Sequence, residues 1–83
     1  MIAVVQLFAA ARELAGVPSV SLDVPHGATV AELRHGLSQS HPALAALVIR
    51  SRIAVDCEFA DDSAVVPEGA ELALIPPVSG GAA

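Results

Sequence analysis

Lysine, tryptophan and tyrosine are absent from this chain, and it has one cysteine. Without lysine, no side-chain amine can form a Schiff base, act as a nucleophile or accept an isopeptide bond. A single cysteine, Cys57, excludes an internal disulfide and a cysteine-built zinc cluster. Four arginines against nine acidic residues give a formal net charge of −5. That balance lacks the basic footprint nucleic acid requires and suits a partner with a basic surface. No apolar run reaches membrane-spanning length, since Arg12, Glu13 and the prolines interrupt the longest. No basic segment leads into an apolar one, as a secretory signal would. The expectation is a cytoplasmic protein that engages neither nucleic acid nor membrane.

What is present is apolar and aliphatic. Hydrophobic residues make up 54% of the 83 positions and aromatics 2%, so the core must be Val, Leu, Ile and Ala. At this length there is room for one small domain, and most of its apolar residues are needed inside.

Ile2 to Phe8 is an apolar stretch rich in β-branched residues, the pattern of a central strand covered on both faces. Ala9 to Ala15 has helix-forming composition and stops at Gly16 with Pro18 beyond, which predicts a single helical turn. Val20, Leu22 and Val24 alternate with polar residues as in a half-exposed strand. Thr29 and Glu32 form the T-x-x-E pattern of a capping box, and Val30, Leu33 and Leu37 share one face of the helix that follows. Leu44, Leu47 and Val48 predict one more short helical piece. Ile53 to Val55 reads as a strand, and Asp56, Glu58, Asp61 and Asp62 as an acidic loop. Val65-Val66 reads as a short edge strand and Glu71 to Ile75 as the last strand, ended by Pro76-Pro77. This order predicts an α+β protein, a mixed β-sheet packed on one main helix in a β-grasp-like arrangement. The domain spans residues 1–77, and residues 78–83 form a tail.

The end of the chain, Pro76-Pro77-Val78-Ser79-Gly80-Gly81-Ala82-Ala83, carries the chemistry. Gly/Ser-rich termini are usually loose ends. Here, however, two prolines stiffen the root, and glycines without a Cβ allow close backbone approach. Such a tail fits a narrow site on another protein. A carboxylate is ionised at neutral pH and a poor acyl donor. Activated as an acyl-adenylate and then treated with sulfide, it becomes a thiocarboxylate, a sulfur nucleophile on an arm.

The stretch Leu7-Phe8-Ala9-Ala10-Ala11-Arg12-Glu13-Leu14-Ala15-Gly16 resembles the "F-A-x-x-R-E-x-x-G" opening of the MoaD family, the small sulfur-carrier subunits of molybdopterin synthase. The end, from the acidic loop through Gly69 to Leu74-Ile75-Pro76-Pro77-Val78-Ser79-Gly80-Gly81, resembles that family's "P-P-V-x-G-G" terminus. The resemblance spans essentially the whole chain. It implies a ubiquitin-like β-grasp fold and adenylation of Gly81 by a MoeB-like enzyme that uses ATP. It further implies a sulfur donor protein and insertion of the tail, Gly80 included, into a MoaE-like large subunit. There the thiocarboxylate would give its sulfur to precursor Z. No cofactor is expected on this chain, and catalytic side chains are expected on the large subunit. The resemblance also implies that Phe8, Phe59, Ile75, Pro76, Pro77, Val78 and Ser79 contact the partner. A plain core role is the alternative for Phe8, Phe59 and Ile75, and the stronger one for Ile75 taken alone. Phe59, a large apolar residue among acids, is the least easily assigned to a core.

The chain departs from the family pattern at its end, where Ala82 and Ala83 follow the second glycine. Two extra residues move the carboxylate by up to about 7 Å, whereas catalytic geometry tolerates roughly 1 Å. Three explanations stand: a peptidase removes the two alanines, they are an artefact of expression, or the protein is a diverged relative that carries no sulfur. Two further functions stand beside the first. One is sulfur carriage for another pathway, of thiamine or cysteine type. The other is a ubiquitin-like binding or modifier domain.

The remaining groups carry less. Cys57 lies between Asp56 and Glu58, whose charges oppose a thiolate nucleophile. His26, His35 and His41 lack metal-ligand spacing. Asp61, Asp62 and Glu68 lack the order of a calcium loop. Arg12 and Glu13 read as a surface pair.

Overall fold

The computed structural model describes residues 1–77. The expectations for Val78, Ser79, Gly80, Gly81, Ala82 and Ala83 lie outside the described residues.

Alternating burial builds the first strand, β1 (Ile2–Leu7), in which Ala3, Val5 and Leu7 turn inward while Ile2, Val4 and Gln6 stay exposed. The expectation of a strand covered on both faces is thereby corrected: β1 lies inside the sheet, but only one of its faces meets the core. The chain then winds through α1 (Ala9–Ala15), two turns where one was predicted, and Gly16 ends it in the left-handed region at φ 74°. A side chain there would crowd the following carbonyl, so glycine is the natural C-terminal residue. The antiparallel partner β2 (Ser19–Asp23) returns along β1, and the amide of Leu7 donates to the carbonyl of Pro18 at 2.9 Å to close the connection.

The main helix α2 (Val30–Ser40) opens with the predicted capping box. The Glu32 amide donates to Thr29 Oγ1 at 3.3 Å, and the Thr29 amide donates to Glu32 Oε1 at 3.0 Å. Two of the amides that every helix start leaves free are satisfied in this way. Val30, Leu33 and Leu37 are buried against the sheet. A 3-10 turn (Pro42–Leu44) leads into α3 (Ala45–Arg50). Arg34 ties this layer together: its Nη1 donates to the carbonyl of Val48 and its Nε to Asp62 Oδ1 at 2.8 Å.

Three strands complete the sheet: β3 (Arg52–Val55), β4 (Glu58–Ala60) and β5 (Leu72–Ile75). Here the acidic-loop expectation is corrected. Asp56 and Cys57, both at positive φ (49° and 70°), form a two-residue hairpin turn, and Glu58–Ala60 returns as an edge strand on β3. Positive φ at both central residues is the hairpin geometry that matches strand twist, and a charge on a short edge strand discourages further pairing. The edge-strand expectation for Val65-Val66 is corrected too. Val65 makes one isolated bridge to Thr29 outside the sheet, and Val66 is buried. These residues pin the start of α2, since the Val30 amide donates to the Ala64 carbonyl and the Val66 amide to that of Ala28.

The strand order is β2-β1-β5-β3-β4, with β1 and β5 parallel and the other neighbours antiparallel. All the helices cover the face that carries Val5, Leu7, Ile53, Leu72 and Leu74, and one aliphatic core lies between. This is the α+β, ubiquitin-like β-grasp arrangement expected from the order of elements.

Two expectations test this account. Thr29→Ala removes the cap acceptor and should cost about 1 kcal/mol in urea unfolding. Ala9 begins α1 at φ 50°, where a Cβ is strained, so Ala9→Gly should raise stability by about 1 kcal/mol. Unchanged stability of Ala9→Gly would mean the left-handed start is not held in solution.

Candidate functional site

The sheet has a second face, and no element of the described residues covers it. Its composition follows from the register. Gln6 of β1 lies beside Ala73 of β5, and Ala73 lies opposite Ala54 of β3, which in turn faces Phe59 of β4. Because β1 and β5 are parallel, Phe8, just past the end of β1, falls at the same end of the sheet as Ile75. The end of β1, the β3–β4 hairpin and β5 thus meet in one depression of about 230 Å³, which includes Phe8, Phe59, Ile75, Ala54 and Ala73. Its walls are mainly aliphatic and aromatic.

Burial separates this group from the core. Phe8 and Phe59 are 50% and 52% exposed, whereas Leu33, Leu37, Ile53 and Leu74 are fully buried. The plain core reading for Phe8 and Phe59 is excluded, and Ile75 is half-buried at the rim of the same depression. The two phenylalanines, the chain's whole aromatic complement, stand exposed on one face. Exposed apolar groups gathered in this way mark an interaction surface, and aromatics are enriched at such surfaces.

Ile75 is the last residue of β5, and Pro76 and Pro77 follow it directly. Pro76 is buried and Pro77 exposed, so the chain leaves the middle of the sheet through a fixed point beside the depression. Opposite Ile75 on β3 stands Arg52. Its guanidinium carbon sits 3.8 Å from the centroid of the Phe59 ring, within the range of cation–π attraction.

At the other end of the depression the hairpin turn is stitched to β5. The Glu71 amide donates to Asp56 Oδ1 at 2.9 Å, and the Asp56 amide donates to the Glu71 carbonyl at 2.8 Å. The Cys57 thiol is exposed and lies 3.7 Å from Glu71 Oε1. Gln6, Arg52, Ala54 and Ala73 belong to this surface and were not singled out from sequence, and Cys57, weighed there only as a nucleophile, lines it too. Alternation along β1 and β3 carries a trace of it. Their assembly depends on the pairing of β5 between them, which no local pattern encodes.

His26 reaches Glu68 Oε1 at 3.9 Å with both side chains largely exposed, while His35 lies exposed on α2 and His41 at its end. Among the described residues, no three His, Cys, Asp or Glu side chains converge as metal ligands would, and no helix is long and apolar enough to cross a membrane.

Comparison with known proteins points the same way as the geometry. The ThiS family matches residues 5–81, a span that ends on Gly81. The molybdopterin synthase sulfur carrier subunit of Arabidopsis thaliana is 43% identical over 77 residues, covering 93% of this chain and 80% of its own length. Small archaeal modifier protein 1 of Haloferax volcanii is 37% identical over 84 residues, covering 92% of this chain and 97% of its own. The crystal structure of SAMP1 from Haloferax volcanii superposes with a TM-score of 0.85 at 34% identity, covering 98% of this chain and 100% of that one.

If the depression is a surface feature and not core, Phe59→Ser should cost only about 1 kcal/mol, most of it the lost cation–π contact. A core phenylalanine would cost about 3–5 kcal/mol on truncation. Chemical denaturation of Phe59→Ser beside Leu33→Ala separates the two cases.

Proposed function

The chain belongs to the ThiS family, and on that premise we propose that it is the sulfur-carrier subunit of a molybdopterin synthase. The observation that carries this reading is the exit of the C-terminal segment. A Pro-Pro root leaves the centre of the sheet beside an open apolar depression, and Gly80-Gly81 follow four residues later. The 43% identity to a protein of that name supports it.

The reaction runs through partners. On a MoeB-like enzyme the Gly81 carboxylate attacks the α-phosphorus of ATP and pyrophosphate leaves, giving an acyl-adenylate. Sulfide from a sulfur donor protein displaces AMP, giving the thiocarboxylate. The depression then docks on a MoaE-like large subunit, and Phe8, Phe59 and Ile75 bury their exposed area there. Val78 and Ser79 lead Gly80-Gly81 into that subunit's site, where the sulfur bonds to a carbon of precursor Z as an oxygen substituent of that carbon leaves. The carboxylate is restored when the resulting acyl link is hydrolysed. Glycines suit a narrow channel because no Cβ fills it. This chain contributes the reacting terminus and the docking surface, and needs no bound cofactor.

The chemistry requires the carboxylate on Gly81. Ala82 and Ala83 must therefore be removed before activation, by a peptidase if they are present in the cell.

A second reading has its own support. The 37% identity and whole-length superposition on a small archaeal modifier protein favour a protein attached to others through the same activated terminus. Lacking lysine, this chain would be a donor in such a reaction and would not accept another copy through a side chain.

Mass spectrometry after incubation with the activating enzyme, ATP and a sulfur source tests the first step. A chain ending at Gly81 should gain a sulfur-for-oxygen replacement, and the 83-residue chain should not. Absence of thiocarboxylate on the shorter chain would overturn the carrier reading. Adding the large subunit and precursor Z then separates the readings. Molybdopterin formation supports the first, and covalent conjugates without it support the second.

A further inference from the structure

Arg52 occupies an unusual position for a cation in this acidic chain. Of the four arginines, Arg34 is engaged with Asp62 and the Val48 carbonyl, and Arg12 and Arg50 lie on α1 and α3. Arg52 alone stands on the open sheet face, across from Ile75 at the root of the tail. Phe59 supports one face of its guanidinium at 3.8 Å. Among the described residues no carboxylate lies within ion-pair distance of it, and its N–H groups donate to no side chain or carbonyl there.

A guanidinium stacked on a ring is held in orientation while its in-plane donors still point outward. A partner that covers Phe59 and Ile75 also strips water from Arg52. Burying a charge without a counter-charge is strongly unfavourable, so a tight fit over this depression requires an acceptor opposite Arg52. A carboxylate matches the guanidinium fork with two parallel hydrogen bonds. The opposite end of the depression carries the Glu71 carboxylate, about 13 Å away along β5 at the usual strand rise. The apolar depression is therefore flanked by opposite charges, negative at the hairpin and positive at the tail root. A partner with the reverse order can dock in only one direction.

We propose that Arg52 is a docking residue that pairs with a carboxylate on the large subunit, fixing the register in which the tail enters. The proposal rests on the carrier reading for its partner and on the Arg52–Phe59 geometry for its chemistry. Like charges misaligned across an interface are penalised, which makes the pair a determinant of specificity as well as of strength.

Titration calorimetry with the purified large subunit tests it, using the wild type, Arg52→Met, Arg52→Glu and Arg50→Glu. Arg52→Met keeps an apolar stem against Phe59 and should weaken binding about 10-fold, and Arg52→Glu about 100-fold, as expected for loss and reversal of a desolvated charge pair. Arg50→Glu makes the same change of charge on α3 and should stay within about 2-fold, because it lies off the docking face. Wild-type affinity should fall with added salt more steeply than that of Arg52→Met. Circular dichroism confirms folding of each variant. Wild-type binding that Arg52→Glu leaves unaltered, or that Arg50→Glu weakens equally, overturns the role of Arg52 while the carrier reading stands. Failure of the wild type to bind overturns both.

Discussion

The pairing of β5 between β1 and β3 is the constraint on which the rest of this molecule depends. Leu72–Ile75 comes last in sequence yet lies in the middle of the sheet, parallel to β1 and antiparallel to β3. Its inward residues Leu72 and Leu74 join Val5, Leu7 and Ile53 under the helices. Its outward residues Ala73 and Ile75 join what would otherwise be two unconnected edges into one surface. Without this strand β1–β2 and β3–β4 are separate antiparallel pairs, each too small to be stable alone. The C-terminal segment is therefore anchored by the same hydrogen bonds that hold the domain together, and its root stays fixed.

The helices lie on one side only, which leaves the other face of the sheet to do work. Small size makes this layout demanding, because a chain of this length needs nearly all its apolar residues inside. Exposing both phenylalanines forgoes burial that the fold could use, and a surface of that cost points to intermittent burial against a partner. The core does without them by burying Leu, Ile, Val and Ala, which also removes any need to satisfy a buried indole or phenol.

Much of this was legible locally. The T-x-x-E signal at Thr29 specified the start of the main helix because a capping box is a contact among four consecutive residues. Gly16 marked the end of α1 for a similar reason. The errors have equally local causes. Charge dominated the reading of Asp56 to Asp62, hiding a two-residue turn and the strand Glu58–Ala60. The apolarity of β1 at every position but Gln6 suggested burial on both faces, although Ile2 and Val4 are exposed. Apolarity reports that a side chain avoids water, not whether the domain's own core or another protein supplies the shelter.

The sequence by itself determined the composition of the core, the start of the main helix and the end of α1, the absence of any acceptor amine on a side chain, and the stiff Pro-Pro root leading to two glycines. These are properties of single residues and of neighbours a few positions apart. Only the tertiary structure decided that Phe8, Arg52, Phe59 and Ile75 share one surface. They lie on four separate segments, and a strand pairing more than sixty residues apart, Leu7 with Leu74, brings them together. The free energy for that pairing comes from the whole core closing at once. The open apolar face exists as a consequence of cooperative folding, and no stretch of the chain contains it.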